Sequence, residues 1–200
     1  MAQPQEIEPT LRVRAKAERR AALLSSAARL FARRGFDGVS IEDLGSSVGV
    51  SGPAVYRHFA SKQAVLAALL VGVSEGLLTG GREVVDAAGS DATAALRSLV
   101  QFHVDFALRE PDVIRVQDRD LAALAVPDRA AVRDLQRRYV DVWVDVLHRL
   151  SPTTERPELR LRAQATFGLL NSTPHSARSV TVARTRVLLE EMALAALGRP

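Results

Sequence analysis

The chain has 200 residues, which is long for one small domain and short for two large ones, so a small module joined to a medium one fits best. Hydrophobic residues make up 47% of the sequence and aromatic residues only 4%, and glycine and proline fall mostly between apolar-periodic stretches. These features predict an all-α fold with an aliphatic core. The absence of cysteine excludes a disulfide framework, a thiolate metal site and a cysteine nucleophile.

Positive charge is concentrated at one end of the chain. The formal net charge is +4; residues 1–62 contain 10 Lys and Arg against 6 Asp and Glu, whereas residues 63–200 contain 17 of each. A basic end on a neutral body suggests contact with a polyanion, although a solvated basic helix face would produce the same bias. We recognise neither a signal peptide nor an apolar run as long as a membrane span, and we therefore expect a cytoplasmic protein that binds no membrane.

The first predicted helix follows a tail, expected to be mobile, at residues 1–11. It is expected over residues 12–34, because an apolar stripe at i, i+4, i+7 and i+8 runs from Leu23 to Phe31. Gly35 supplies the stop, and two arginines before it suit the negative end of the helix dipole.

Two short helices joined by a glycine turn are predicted next. Ser40, with Asp43 three residues later, has the pattern of a capping box and opens the second helix, which ends at Gly49. A third helix is expected from Ser51 to Phe59, with a proline tolerated in its first turn. Such a pair of helices forms a helix-turn-helix when the second one is exposed.

Packing indicates which face of this helix-turn-helix domain, expected over residues 12–60, is exposed. The apolar residues expected against helix one are Ile41, Leu44, Val48, Val55 and Phe59. The residues left on the surface are Gly52, Pro53, Ala54, Tyr56, Arg57 and His58. A nine-residue helix is about 13 Å long, enough to lie in the major groove of DNA. Arg57 can read guanine or bind phosphate, while Tyr56 and His58 can bind phosphate oxygens, as can Lys62 from the next helix.

The stretch Gly35-Phe-Asp-Gly-Val-Ser-Ile-Glu-Asp-Leu44, followed by Val48-Gly-Val-Ser-Gly-Pro-Ala-Val-Tyr-Arg-His-Phe-Ala-Ser-Lys62, resembles the N-terminal domain of TetR-family regulators. The resemblance implies that Ser51 to His58 form the recognition segment and that Tyr56, His58 and Lys62 contact phosphate. The DNA-binding residues predicted from the motif and the resemblance together are Ser40, Ser51, Gly52, Pro53, Ala54, Tyr56, Arg57, His58 and Lys62. A three-helix bundle with no DNA role is the alternative for these residues.

Two residues depart from the family pattern. Gly45 stands where the family usually has alanine, which is expected to cost about 1 kcal/mol in an exposed helix. Glu42 stands where many relatives have a neutral or basic residue, and it either is solvated or reads the amino group of cytosine. These departures affect the expected DNA sequence rather than the expected fold.

Residues 61–200 predict a bundle of longer helices. These helices are expected over residues 61–80, 91–110, 112–125, 127–150, 158–172 and 180–197, with breaks at glycines and prolines. The resemblance implies that this region carries an effector cavity and that its last two helices form the interface of a homodimer. The alternative for those two helices is an intramolecular core.

Candidate effector contacts are the aromatic and polar residues expected inside this bundle: Phe102, His103, Phe106, Trp143, Phe167 and Asn171. A histidine on an apolar helix face is either a satisfied core residue or a ligand contact, and the aromatic residues are either core or cavity wall. A largely apolar cavity favours a lipophilic effector such as an acyl chain, an acyl-coenzyme A thioester, a steroid or a cationic drug. The cluster of residues 117–120 is expected to be paired with itself on a helix surface.

We therefore expect a ligand-responsive repressor that binds a near-palindromic double-stranded DNA operator as a dimer and is released by a small effector. The alternative is the same fold used as a non-sequence-specific DNA-binding or protein-interaction module. An enzyme is not expected, because the four histidines lack metal-ligand spacing and neither a G-x-S-x-G nor a phosphate-binding glycine loop occurs. No cofactor and no metal are expected.

Overall fold

A computed structural model describes residues 11–176 and 180–198, and every regular element within these ranges is helical. The all-α prediction is confirmed. The α-helices are α1 (Leu11–Arg34), α2 (Ile41–Ser47), α3 (Gly52–Val55), α4 (Lys62–Ala88), α5 (Ala92–Arg109), α6 (Pro111–Asp120), α7 (Val126–Leu150), α8 (Arg156–Leu170), α9 (Thr173–Ser176) and α10 (Val182–Leu197). A short 3₁₀ helix, Leu121–Ala123, follows α6. The predicted tail at residues 1–11 lies outside the described residues, except for Leu11, which begins α1.

Buried apolar side chains form two clusters. The first joins α1 to α2, α3, the N-terminal half of α4, α6 and the start of α7, around Phe31, Leu44 and Leu66. The second joins the C-terminal half of α4 to α5, α7, α8 and α10, around Leu99 and Trp143. Because α4 and α7 contribute to both clusters, they connect the N-terminal helices to the larger bundle.

The predicted break at Gly80 and Gly81 is wrong, because α4 continues through both glycines to Ala88. A Cβ atom at Gly80 would lie 2.5 Å from the ring of Phe102, and one at Gly81 would lie 2.5 Å from the ring of Tyr139. The two glycines therefore allow α5 and α7 to approach α4 closely, and the packing of those rings offsets the poor helix propensity of glycine.

Among the described residues, α4 is the one helix whose length and composition would allow it to cross a bilayer. The expectation that no segment reaches that length is therefore too strict. Core helices of soluble proteins have the same properties, and α4 is packed into both apolar clusters. This single helix is weak evidence for a membrane segment.

Candidate nucleic-acid interface and ligand cavity

Helix α2 begins at a capping box, as the sequence predicts. The hydroxyl of Ser40 accepts a hydrogen bond from the Asp43 amide at 3.0 Å, and the Asp43 carboxylate accepts one from the Ser40 amide at 2.9 Å. Arg34, at the end of α1, also donates to Asp43 at 3.0 Å. The Ser40 amide, the Arg34 guanidinium and the Ser40 hydroxyl together lower the pKa of Asp43 to about 2. The start of α2 is thus tied to the end of α1.

The turn between α2 and α3 depends on two glycines. Gly49 has φ +71°, in the left-handed region where a side chain is strained. Gly45 is buried, and a Cβ atom there would lie 2.7 Å from the carbonyl oxygen of Val50 and 3.1 Å from the carbonyl carbon of Ser51. The expectation that Gly45 only weakens an exposed helix is wrong, because it lets α3 approach α2.

Helix α3 is shorter than the predicted nine residues. Its α-helical part ends at Val55, and residues 56–58 form a turn in which the His58 amide donates to the Val55 carbonyl. The side chains of Tyr56 and Arg57 are exposed, as predicted. Pro53 and Ser51 are exposed as well, and Ala54 is half-buried.

Gly52 and His58 differ from the expectation of a fully exposed recognition face. Gly52 is buried, and a Cβ atom there would lie 3.2 Å from a carboxylate oxygen of Glu42. Glu42 therefore packs at the start of α3, and a larger residue at position 52 would have to displace the Glu42 side chain. His58 is half-buried, and its Nδ1 atom is buried without a hydrogen-bond partner.

Lys62 has an intramolecular partner. Its Nζ atom donates to the carbonyl oxygen of Phe36 at 2.8 Å and lies 4.4 Å from the centre of the Phe36 ring. An ammonium group has three donors, so a phosphate contact stays compatible with this arrangement. Lys62 nevertheless also links the start of α4 to the loop after α1.

A cationic groove lies between α1 and the segment after α3. Its volume is about 470 Å³, and its lining includes Lys16, Arg19, Arg57 and His58. Arg19 also donates to the carbonyl oxygen of Val48 at 3.1 Å, which holds it beside the turn. Sequence reasoning missed the cations of α1 as site residues, although the charge excess in residues 1–62 was the signal that could have identified them.

A separate cavity of about 520 Å³ lies within the larger bundle and is lined by residues of α4, α5, α6, α7 and α8. Four of the predicted effector contacts line it: His103, Phe106, Phe167 and Asn171. Trp143 is fully buried behind this lining, with its ring centre 4.9 Å from that of Phe167. Phe102 lines a different opening, which lies between α1 and α4.

His103 is at the centre of a buried polar chain at this cavity. Its Nε2 atom is 3.1 Å from the Oδ1 atom of Asn171, and its Nδ1 atom is 3.3 Å from the Tyr139 hydroxyl. Because Oδ1 can only accept, Nε2 donates to it and Nδ1 accepts from Tyr139. Burial lowers the pKa of His103 to about 4 and raises the pKa of Tyr139, so both side chains are neutral at pH 7.

The rest of the cavity lining is more polar than expected. Of its fourteen lining residues, six are arginine or glutamine: Gln117, Arg133, Gln136, Arg137, Arg160 and Gln164. Arg160 is paired with Asp141 at 2.5 Å and Arg137 with Asp134. Arg133 is exposed and makes no ion pair with the described residues. The cavity thus combines an aromatic wall with a cationic one.

Helices α8 and α10 expose apolar side chains. Leu161 is 66% exposed, Val182 is 65% exposed and Met192 is 51% exposed. The opposite faces of these helices are buried in the bundle through residues such as Leu170 and Ala193. Within residues 11–176 and 180–198, no group of three or more histidine, aspartate or glutamate side chains is arranged to hold a metal ion.

Comparison with known proteins identifies the family. The family model for bacterial regulatory proteins of the tetR family matches residues 23–69, and the model for the tetracyclin repressor-like C-terminal domain matches residues 89–175. The chain belongs to the TetR family of transcriptional regulators. Members of this family are DNA-binding transcription factors, which confirms the prediction of a regulator rather than an enzyme.

A curated relative is the HTH-type transcriptional repressor KstR2 of Rhodococcus jostii, which is 29% identical over 133 residues. That match covers 66% of this chain and 65% of the relative. Among solved structures, a TetR-family regulator from Bordetella parapertussis has a TM-score of 0.76 at 25% identity, over 88% of this chain and 93% of the other. The structure of AibR in complex with isovaleryl coenzyme A and operator DNA has a TM-score of 0.68 at 19% identity, over 87% of this chain and 97% of the other, and shows the shared fold.

Proposed function

We propose that this TetR-family chain is a ligand-responsive repressor that binds operator DNA as a homodimer through the surface formed by α1, α3 and the turn after α3. The observation that carries the proposal is the cationic groove, where Lys16 and Arg19 of α1 lie beside Arg57. Three cations within one groove attract phosphates, and the adjacent Tyr56 side chain is exposed for contact with the DNA.

The roles within this surface follow from exposure. Arg57 and Tyr56 project from the end of the recognition segment and are the proposed contacts to base edges and phosphate. Lys16 and Arg19 are proposed to contact phosphate and so to fix the register of the recognition segment. Ser40, Gly52 and Lys62 support the geometry of the helix-turn-helix through the contacts described above. The amide and the hydroxyl of Ser40 both donate to the Asp43 carboxylate, whereas the ammonium of Lys62 keeps donors for phosphate.

The proposed effector is an amphipathic anion bound in the cavity beside His103. An aromatic wall suits an apolar body, and the arginine wall suits a carboxylate or phosphate head group. Among the classes expected from the sequence, acyl chains and acyl-coenzyme A thioesters fit this charge and cationic drugs do not. The ligand of AibR, isovaleryl coenzyme A, is a compound of this kind.

The test selects bound DNA from a random pool and then measures binding of variants to the selected sequence. We expect Arg57→Ala to weaken binding by about tenfold to a hundredfold if the guanidinium contacts a base. Lys16→Ala should weaken it less and reduce the salt dependence of binding. The matched control is Arg82→Ala, which removes one exposed positive charge about 30 Å along α4 from Lys62.

Three outcomes separate the candidate functions. A consensus with two half-sites, bound more weakly by Arg57→Ala than by Arg82→Ala, supports the repressor. Salt-dependent binding without sequence preference favours the alternative of a non-sequence-specific DNA-binding module. Equal binding by all three variants contradicts the assignment of this surface.

A further inference from the structure

Leu77 on α4 and Phe106 on α5 each line two openings. One is the ligand cavity of about 520 Å³ beside His103. The other is an open groove of about 540 Å³ between α1 and α4, which we call the α1–α4 groove. The two side chains therefore form a shared wall between the cavity and the groove, and a rotamer change in either can connect them.

Small residues form the sides of the α1–α4 groove. Ala21 and Ala28 line it from α1, and Gly72 and Gly76 line it from α4. A Cβ atom at Gly72 or at Gly76 would meet nothing within 4 Å, so the space beside these glycines is open. From residue 68 to residue 77 the groove follows α4 for about 13 Å. These dimensions suit a narrow, extended apolar group.

The linings of the two openings differ in charge. The ligand cavity has three arginines in its lining, whereas the lining of the groove from α1 and α4 is uncharged. The charged residues of the groove lie at the end of α5: Asp105, Arg109 and Glu110. Asp105 is paired with Arg109 at 3.3 Å and with Arg186. A ligand that occupied both openings would therefore place an anionic head in the cavity and an apolar tail in the groove.

We propose that the α1–α4 groove is a tail subsite for a long-chain acyl effector whose anionic head lies at the arginines of the cavity and whose tail passes between Leu77 and Phe106. The proposal rests on the effector cavity and the acyl effector of the proposed function, and it adds the length of the acyl chain and the place where its tail binds. Because Ala21 and Ala28 belong to α1, only a ligand long enough to reach the groove touches the DNA-binding domain directly. Long acyl chains should therefore release DNA, and short ones should bind without releasing it.

The experiment compares octanoyl and palmitoyl ligands on the full chain, each as the coenzyme A thioester and as the free acid. Trp143, the single tryptophan, lies behind the cavity wall and reports binding by its fluorescence. The test variant is Gly76→Leu, which fills the groove where a side chain meets open space. The control is Ala87→Leu, which adds apolar bulk to an exposed position of α4 about three turns away.

We expect palmitoyl ligands to bind wild type at least about tenfold more tightly than octanoyl ligands, since burial of two methylene groups already gives about that ratio. Gly76→Leu should reduce the palmitoyl-to-octanoyl ratio to about one, and Ala87→Leu should keep it. If only the thioesters show the pattern, the head group is recognised through its phosphates; if both show it, one anionic group is sufficient.

The contrary outcomes are distinguishable because DNA binding is measured in the same samples. A ratio of about one in wild type, or a ratio that survives in Gly76→Leu, overturns the tail subsite and leaves the cavity and the repressor intact. Failure of every acyl ligand to bind overturns both the tail subsite and the proposed effector. A change in the oligomeric state of Gly76→Leu, measured by sedimentation, would show that the groove is a contact between chains and would also overturn it.

Discussion

The guanidinium of Arg119 on α6 donates a hydrogen bond to the carbonyl oxygen of Phe31 in the last turn of α1. It also donates to the carbonyl oxygen of Ala32 at 3.4 Å and holds the carboxylate of the buried Asp120 at 2.9 and 3.0 Å. The expectation that residues 117–120 only pair with themselves is thus incomplete. This arginine adds a donor to the Phe31 carbonyl, which also accepts from the Gly35 amide, and it ties α6 to the C-terminal end of α1.

Arg119→Ala should therefore destabilise the protein and weaken the coupling between its two parts. The variant loses the bonds to α1 and leaves Asp120 buried without its partner, which should lower the free energy of unfolding by about 1–3 kcal/mol. The measurement is urea denaturation, combined with the effector concentration that releases DNA. Arg97→Ala, which removes an exposed arginine on α5, is the control. Equal stability of the two variants would contradict the role assigned to Arg119.

Two glycine substitutions of the same chemistry should have opposite effects on stability. Gly45→Ala places a Cβ atom 2.7 Å from the Val50 carbonyl oxygen, and relief of that contact must move α3, so we expect a loss of about 1–3 kcal/mol. Gly76→Ala places its Cβ atom in open space on a long helix and should stabilise by about 0.5–1 kcal/mol. Thermal unfolding of both variants beside wild type measures the difference. A stabilised Gly45→Ala would show that the close approach of α3 to α2 is not required.

The features that sequence predicted well are those set by neighbours in the chain. The capping box of Ser40 and Asp43 and the left-handed turn at Gly49 need only a few consecutive residues, and both occur as expected. The features that were missed depend on residues far apart. The requirement for glycine at position 45 comes from the approach of α3, and the continuation of α4 through Gly80 comes from packing against the ring of Phe102. The role of Arg119 depends on carbonyl groups that lie 87 and 88 positions earlier in the chain.

The cavity likewise contains features that the sequence predicts and features that it does not. An inward-facing His103 could be predicted from the helical period of apolar residues, because its position on α5 determines the side it faces. Its partners Tyr139 and Asn171 could not, since they lie 36 and 68 positions later and meet it only through the packing of α7 and α8. The arginines of the cavity could not be distinguished from ordinary surface charges in the sequence, because helix packing alone brings them to the cavity.

Protonation of His103 should make stability depend on pH in the acid range. The pKa of His103 is about 4 in the folded protein and 6.5 in the unfolded chain, so between these pH values the unfolded chain binds more protons than the folded one. The free energy of unfolding should therefore fall as pH falls from 6.5 to 4, by about 1.4 kcal/mol per pH unit and about 3 kcal/mol in total.

The comparison for this prediction is His103→Gln, measured by urea denaturation across the same pH range. Glu110 and Asp118, whose pKa values burial raises, titrate in both proteins, so the difference between the two curves isolates the histidine. Parallel curves for wild type and variant would mean that His103 is solvated or already charged in the folded protein.

The exposed apolar faces of α8 and α10 lead to the last prediction, which concerns the proposed homodimer. A charge placed inside an apolar interface is desolvated without a partner, so Leu161→Glu or Met192→Glu should dissociate the dimer. Val126→Glu is the matched control, because Val126 is 70% exposed, slightly more than Leu161 at 66%, but lies at the start of α7. Sedimentation equilibrium should give monomers for the first two variants and dimers for wild type and the control.

Operator binding provides the second measurement for this prediction. A monomer engages one half-site at a time. It therefore loses the gain in effective concentration that a dimer obtains by linking two recognition segments about 34 Å apart. Leu161→Glu should therefore bind the full operator about as weakly as a single half-site, whereas Val126→Glu should retain the preference for the full operator. If Leu161→Glu stays dimeric and keeps that preference, the two subunits meet elsewhere, and the exposed face of α8 needs a different explanation.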